Sequence, residues 1–489
     1  MRVRAIMMLM LGCSFLSPAQ EPAMKGVAPQ ADAVVFKESK EERDARMQWW
    51  RDAKFGMFIH YGLYSGLGGY FKGIPGGGEW IQCNLGLDTD TYAAEALPLF
   101  KPAPGCTDAW AELAKEAGCR YMVLTSKHHE GFALFDAANS DYCTGKLLER
   151  DIVKEFTDSA RAAGMKVGLY HSVIDWHQKD YDNTICRDLC YPAGQERMLK
   201  EKAIPRNHAA YQEYLHNQVR QLVRNYGQID IMWWDYSQGD LSGEAWKAQE
   251  LMQTCRDANP GVLFNNRLYA FSGFDPSQDT KELDFSKGDF STPEKRIPRE
   301  GYPGRDWEAC MTVGNRWGYH SEDHQNCKSP ERIICQLQEC AAKGGNLLLN
   351  IGPRADGSIP EWQVEVFKRV GAWMKVNGEA VYNSRPLQAR VDLPEELLAS
   401  VVWDDIYIFL PRRAPGEEEM DYVFSIPSNQ VNAVFPTILG QPDCEVSMER
   451  VEEVDDKGEK QFYLDITIPA EAWHDAVEGL PVLKLGYDG

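Results

Sequence analysis

Asp235 closes the apolar run Ile229-Asp230-Ile231-Met232-Trp233-Trp234, which sets a carboxylate beside two indole rings at the end of a predicted buried strand. Such a setting suits sugar binding and carboxylate catalysis alike, because a partly dry cleft strengthens the charges within it. Polar side chains close other apolar runs in the same way: His60 in Ile59-His60-Tyr61-Gly62, His128 with His129, Tyr170 with His171, and Arg267 in Asn265-Asn266-Arg267. Taken singly, each histidine reads as a satisfied core group and Arg267 as the partner of a structural carboxylate. Taken together they are harder to bury, since each unmet hydrogen bond costs about 1–3 kcal/mol. A hydroxyl-rich ligand would meet them. Hydrolytic metal centres also use His and Asp, but barrels that hold them usually open on His-x-His, and here the first strand offers one His. The 13 cysteines include no CxxC pair, which argues against zinc. Glycoside hydrolysis by Asp235 requires a second carboxyl nearby in space.

Residues at the carboxyl ends of parallel strands converge when the sheet closes into a barrel, and the elements predict this closure. Helical patterns at 110–117, 152–163, 211–226 and 330–343 each pass through a glycine, at 118, 164, 227 and 344, into an apolar strand. Those strands are predicted at 121–125, 166–170, 229–235 and 346–350. Two more at 55–60 and 262–266, with weaker ones near Asp289-Phe290 and Met311-Thr312, complete an α/β, (β/α)8-type barrel catalytic domain over residues 41–385. An open doubly wound sheet is the competing architecture. It normally carries a glycine-rich phosphate turn after its first strand, and no GxGxxG occurs here. After Arg385-Pro386 the texture turns to β-type runs broken by acidic turns, which predicts a small C-terminal β-sandwich domain over 386–489. Within it Glu417-Glu418-Glu419 and residues 449–456 read as solvated loops.

A chain of 489 residues exceeds what one hydrophobic core holds, in keeping with two domains. Its formal charge of -21 argues against nucleic acid and anionic membrane as partners, because both need a basic face. Residues 1–19 read as a signal peptide: the basic start Met1-Arg2-Val3-Arg4, a short apolar run, and small-residue cleavage after Ser17-Pro18-Ala19. Lipid attachment at Cys13, in Met10-Leu11-Gly12-Cys13, is the other processing route. Either predicts an exported protein, periplasmic or secreted, with membrane contact only through that lipid. Export permits disulfides, and Cys186 with Cys190 or Cys335 with Cys340 are the near pairs. The second is disfavoured, because an offset of five on a helix points the two thiols apart.

Motifs in order along the chain add a family. Trp49-Trp50-Arg51-Asp52-Ala53-Lys54-Phe55-Gly56-Met57-Phe58-Ile59-His60-Tyr61-Gly62 resembles the opening of glycoside hydrolase family 29, the retaining α-L-fucosidases. Leu124-Thr125-Ser126-Lys127-His128-His129-Glu130-Gly131-Phe132 is similar to that family's Lys-His-His segment, with Glu130 where Asp is commoner. Residues 166–172, Gly344-Gly345-Asn346-Leu347-Leu348-Leu349-Asn350-Ile351-Gly352-Pro353 and Asn377-Gly378-Glu379-Ala380-Val381-Tyr382 follow the pattern too, so the likeness spans about residues 48–386.

The resemblance implies release of terminal fucose from glycans by double displacement, with Asp235 attacking the anomeric carbon and no metal or organic cofactor. It implies that His60, Glu79, Trp80, His128, His129, Tyr170 and Arg267 hold the sugar, and that Trp233 and Trp317 wall a dry pocket for the 6-deoxy methyl group. The family places its acid/base on variable loops. Glu294, in Gly288-Asp289-Phe290-Ser291-Thr292-Pro293-Glu294, resembles the position in several bacterial relatives, and Glu308, in Asp306-Trp307-Glu308-Ala309-Cys310, resembles one in animal-type enzymes. Glu294 is preferred, because a loop after a strand end, with Pro293 before the carboxyl, can fix its approach to the leaving oxygen. Residues 177–206 form an irregular insertion on the same face, which shapes the leaving-group side, or is a surface loop pinned by Cys186 and Cys190, or both. Two alternatives to the fucosidase are a non-catalytic fucose-binding protein on the same fold and a related α-L-galactosidase.

Overall fold

Each strand of the central sheet starts where a helix ends at a glycine. Helix Cys106–Ala117 stops at Gly118, whose φ of 86° closes the last turn and releases the chain into strand Tyr121–Lys127. The same left-handed stop recurs at Gly164, Gly227 and Gly344. The computed structural model describes residues 38–489 apart from most of 182–203 and from 238–239, 270–284, 388–390, 415, 418, 431–434, 455–458 and 487–489. The proposed signal peptide, Cys13, Cys186 and Cys190 lie outside the described residues.

Among the described residues seven parallel strands are formed: β1 Phe55–Ile59, β2 Tyr121–Lys127, β3 Lys166–Ser172, β4 Ile231–Asp235, β5 Leu263–Phe264, β6 Glu308–Thr312 and β7 Asn346–Ile351. Their order is β5-β4-β3-β2-β1-β7-β6. The eighth position is filled differently from the strand predicted near Asp289-Phe290. Phe290 bridges Asn265 and Ser291 bridges Trp307, so single bridges join the two edges of the sheet where a ladder was expected. Local chemistry explains this. Gly288 has φ 147° and lies so close to β5 that a Cβ would come within 2.7 Å of the Asn265 carbonyl oxygen. The Asp289 carboxylate accepts from the Phe264 N–H at 2.9 Å, and Pro293 has no N–H to give.

Strand residues are buried on both faces, which is why the strands read as continuous apolar runs. Phe58, Tyr121, Val123, Tyr170, Ile231, Trp233 and Leu348 fill the barrel interior, with Met47 and Trp50 of helix Lys40–Ala53 packed against them. The alternate residues Met57, Ile59, Met122, Leu124, Leu169, Met232 and Trp234 face the helical layer. This two-residue alternation sends Asp235 and Tyr170 inward and His171 outward.

The described residues of the C-terminal region form two antiparallel sheets. Arg385–Pro386, Leu398–Val402, Asp405–Phe409, Val482–Gly486 and Phe435–Ile438 pair in that spatial order, and Tyr422–Pro427, Lys460–Ile468 and Ser447–Val454 make the second sheet. Val401, Ile406, Ile408, Phe424, Ile466 and Leu483 form their common core. Val402, Tyr407, Phe409 and Val482 instead join the large cluster that contains the barrel's helices. One stretch departs from expectation: residues 449–454, read as a solvated acidic loop, belong to strand Ser447–Val454. It is an edge strand, mostly exposed, where charge keeps other chains from pairing, and Glu452 meets Lys460 across the ladder at 2.7 Å. Cys335 and Cys340 are free thiols, while Cys83, which no near-neighbour spacing picked out, is disulfide-bonded.

Candidate active site

A cavity of about 330 Å³ opens at the carboxyl ends of the strands. Eleven of the residues singled out in the sequence line it: His60, Glu79, Trp80, His128, His129, Tyr170, Trp233, Asp235, Arg267, Glu294 and Trp317. His60 directly follows β1, Tyr170 stands on β3, and Trp233 and Asp235 stand on β4. His128 and His129 follow β2, where the register slips between Thr125 and Lys127. That irregularity re-aims the strand end and brings both rings to the cavity.

One arginine joins the two carboxylates. Arg267 donates from Nη1 to Asp235 Oδ1 at 2.7 Å and from Nη2 to Glu294 Oε2 at 3.0 Å. Its Nε donates to Thr292 Oγ1 at 2.8 Å, and its guanidinium lies 4.5 Å from the Trp233 ring centre. Tyr170 Oη donates to Asp235 Oδ2 at 2.8 Å, and Trp317 Nε1 donates to Glu294 Oε1 at 3.2 Å. The arginine is 3% exposed, whereas the side chains of Asp235 and Glu294 are 14% and 28% exposed. The guanidinium therefore sits beneath two carboxylates that face the cavity.

The buried wall is made of neutral histidines. Burial pulls His60 and His129 down to about 3 and holds His128 well below the usual imidazole range. Hydrogen bonds set two of the tautomers. Asn350 Nδ2 donates to the Trp317 carbonyl at 2.7 Å, so its Oδ1, 2.6 Å from His60 Nδ1, must accept from that ring. Ser172 Oγ donates to the Ile174 carbonyl at 2.8 Å and therefore accepts from His129 Nδ1 at 2.7 Å. Both rings thus keep Nε2 as an acceptor. His129 Nε2 stands 3.7 Å from Asp235 Oδ2, too long for a hydrogen bond, and its neutrality rules out an ion pair. His128 Nδ1 is buried with no hydrogen-bond partner among the described residues.

The other carboxyls are placed differently. Glu79 is buried, accepts from the Gly318 N–H at 2.8 Å, and has its pKa raised by burial. Glu308 does not line the cavity. It lies on β6 behind Trp233, fully buried, with Oε1 accepting from Trp233 Nε1 at 3.0 Å and Oε2 2.5 Å from Tyr121 Oη. Burial pushes it up to about 7. His171 is outside the cavity too, with Nδ1 2.9 Å from Ser126 Oγ.

Sequence reasoning missed Phe58, Gly78, Asn84, Tyr236, Cys310 and Arg316, which also line the cavity. Phe58 was within reach, since it stands two residues before His60 on the same strand face. Cys310 stands on the weakly patterned strand β6 and Asn84 ends the short helix Ile81–Asn84, while Gly78, Tyr236 and Arg316 sit on loops without periodicity. Among the described residues no group of three or more His, Cys, Asp or Glu side chains could hold a metal ion.

Comparison with known proteins agrees with this geometry. The family described as Alpha-L-fucosidase matches residues 23–379. Human plasma alpha-L-fucosidase is 29% identical over 397 residues, covering 74% of this chain and 75% of that protein. The solved structure of alpha-L-fucosidase isoenzyme 1 from Paenibacillus thiaminolyticus is 33% identical, covers 91% of this chain and 100% of that one, and superposes with a TM-score of 0.74. A family 29 alpha-L-fucosidase from Bacteroides thetaiotaomicron, solved as a trapped covalent intermediate with 2-fluoro-fucosyl fluoride, is 25% identical over 91% of this chain and 97% of that one, with a TM-score of 0.71. On the breadth of these matches, this chain belongs to the alpha-L-fucosidase family, glycoside hydrolase family 29.

Proposed function

We propose that this protein is an exo-acting, retaining α-L-fucosidase in which Asp235 is the nucleophile and Glu294 the acid/base. The pair of carboxylates on one guanidinium carries this reading, because it holds both groups close, in keeping with the about 5–5.5 Å separation of retaining enzymes. Asp235 attacks the anomeric carbon while Glu294 protonates the departing oxygen. Water, deprotonated by Glu294, then cleaves the glycosyl ester with net retention. As seen, Glu294 accepts at both oxygens, the form that serves as base. Acting as acid requires a proton on one of them and the loss of one of those bonds. The Nε2 atoms of His60 and His129 accept from sugar hydroxyls, and Trp233 and Trp317 present apolar surface to the sugar.

Glu308 is a poor candidate for the acid/base, because Trp233 stands between it and the cavity. Incubation with 4-nitrophenyl α-L-fucoside should give turnover, and 2-fluoro-fucosyl fluoride should lose its anomeric fluoride and leave a 2-fluoro-fucosyl adduct on the peptide that contains Asp235. Fucose binding without turnover would favour the non-catalytic reading, and faster turnover of the α-L-galactoside would favour the galactosidase. Export is likewise a proposal, resting on residues 1–19. Sequencing the mature amino terminus tests it: a start after Ala19 supports cleavage, a lipid-modified Cys13 supports anchoring, and an intact Met1 refutes both.

A further inference from the structure

The cavity has a closed end and an open end. His60, His128, His129 and Tyr170 are buried at the first, while Glu294, Trp317 and Arg316 stand at the second. The sugar attached to fucose must leave past the acid/base, so it lies on the Glu294 side. Two cations stand there. Arg316 lines the cavity, and the Lys295 ammonium lies 5.2 Å from the Trp317 ring centre while donating to the Asn315 carbonyl at 2.7 Å. Both side chains are exposed, and among the described residues neither has a carboxylate partner. In a chain with 73 acidic against 52 basic side chains, an exposed cation has many carboxylates available. The nearby acids have other hydrogen-bond partners: Glu79, which feels the charge of both cations without contacting either, accepts from the Gly318 N–H, and Glu294 accepts from Arg267 and Trp317.

The loop that carries Arg316 is held, not loose. Buried Asp323 accepts from the Asn315 N–H at both oxygens and from the Arg316 N–H, each at 3.0 Å. Lys328 Nζ donates to the Gly314 carbonyl at 2.8 Å. A fixed backbone that presents an arginine with no carboxylate in contact is preorganised for an anion, and a planar guanidinium matches the paired oxygens of a sulfate ester or a carboxylate.

We propose that Arg316, with Lys295 beside it, forms a subsite for an anionic group, a sulfate ester or a carboxylate, on the sugar from which fucose is released. This rests on the fucosidase reading above and adds to it the class of leaving group. The test compares kcat/KM for fucose linked to a neutral hexose, to the same hexose bearing a sulfate ester, and to the corresponding uronic acid. The expected result is a preference of roughly twofold to fivefold for at least one anionic substrate, shrinking as salt is raised. Arg316→Ala should collapse that ratio towards one, and Arg316→Lys should keep part of it. Which anionic substrate is preferred tells sulfate from carboxylate. Equal rates on all three with the wild-type protein, or a preference that survives Arg316→Ala, overturns the subsite while leaving the fucosidase intact. No turnover of any of the three refutes the fucosidase reading, and the subsite with it.

Discussion

Replacing Glu308 with Gln tests both the electrostatics of the barrel and the choice of acid/base. The Glu308 carboxyl is fully buried between Tyr121 and Trp233, and burial raises it from the ordinary 4.5 to about 7. A raised folded value means that the folded protein binds this proton more tightly than the unfolded chain does. Its contribution to stability is therefore complete below about pH 4.5 and is lost as the pH rises through about 7. The gap between those values corresponds to about 3 kcal/mol lost by pH 8. Glutamine has the same shape and does not titrate, so Glu308→Gln should gain about 3 kcal/mol relative to wild type between pH 5 and pH 8. Urea unfolding of both proteins at the two pH values measures this. The difference of differences cancels groups that titrate in both, such as Glu130, which burial also raises to about 7. A relative change below about 1 kcal/mol, or one of opposite sign, would refute the burial argument. The same variant should hydrolyse phenyl α-L-fucoside, whose leaving group needs protonation, within about threefold of wild type. A fall of about 10²–10⁴ that azide reverses would instead make Glu308 the acid/base.

Glu294→Ala should lose about 10²–10⁴ on that substrate and less on 4-nitrophenyl α-L-fucoside, with azide restoring turnover as α-fucosyl azide; a β-product would make Glu294 the nucleophile. Asp235→Ala should lose at least about 10³ on every substrate, and azide should then give the inverted β-azide; activity near wild type would end its assignment. His60 and His129 should keep neutral rings down to about pH 4 in ¹⁵N spectra of histidine-labelled protein, because burial holds both near 3; titration near 6.5 would show that the wall is wetter than the structure indicates. Since the unfolded chain takes up those protons near pH 6.5 and the folded one refuses them until about 3, these two residues should make stability fall as the pH drops across that window.

Much of the barrel was legible because its signals are local. Each of the four helices predicted to end at a glycine does so, and the apolar runs after them became strands β2, β3, β4 and β7. The eighth strand was not legible, because what replaces it depends on Asp289 and Gly288 meeting Phe264 and Asn265 from a distant part of the chain. Residues 449–454 were misread for a related reason: their charge signals exposure, and an exposed edge strand and an exposed loop share that composition.

For the site, strand-end position and motif order already named the eleven residues that the cavity gathers, Asp235 among them. Which way Tyr170, Trp233 and Asp235 face follows from the two-residue period of a strand, and that is a property of sequence alone. Three things were decided only by the tertiary structure. Arg267 holds Asp235 and Glu294 together; Glu308 is walled off behind Trp233; and Arg316, among the described residues, stands without a carboxylate partner at the open end. Each turns on a distance between residues far apart in the chain, and such distances are set by how the sheet closes and which side chains fill it, not by any local pattern.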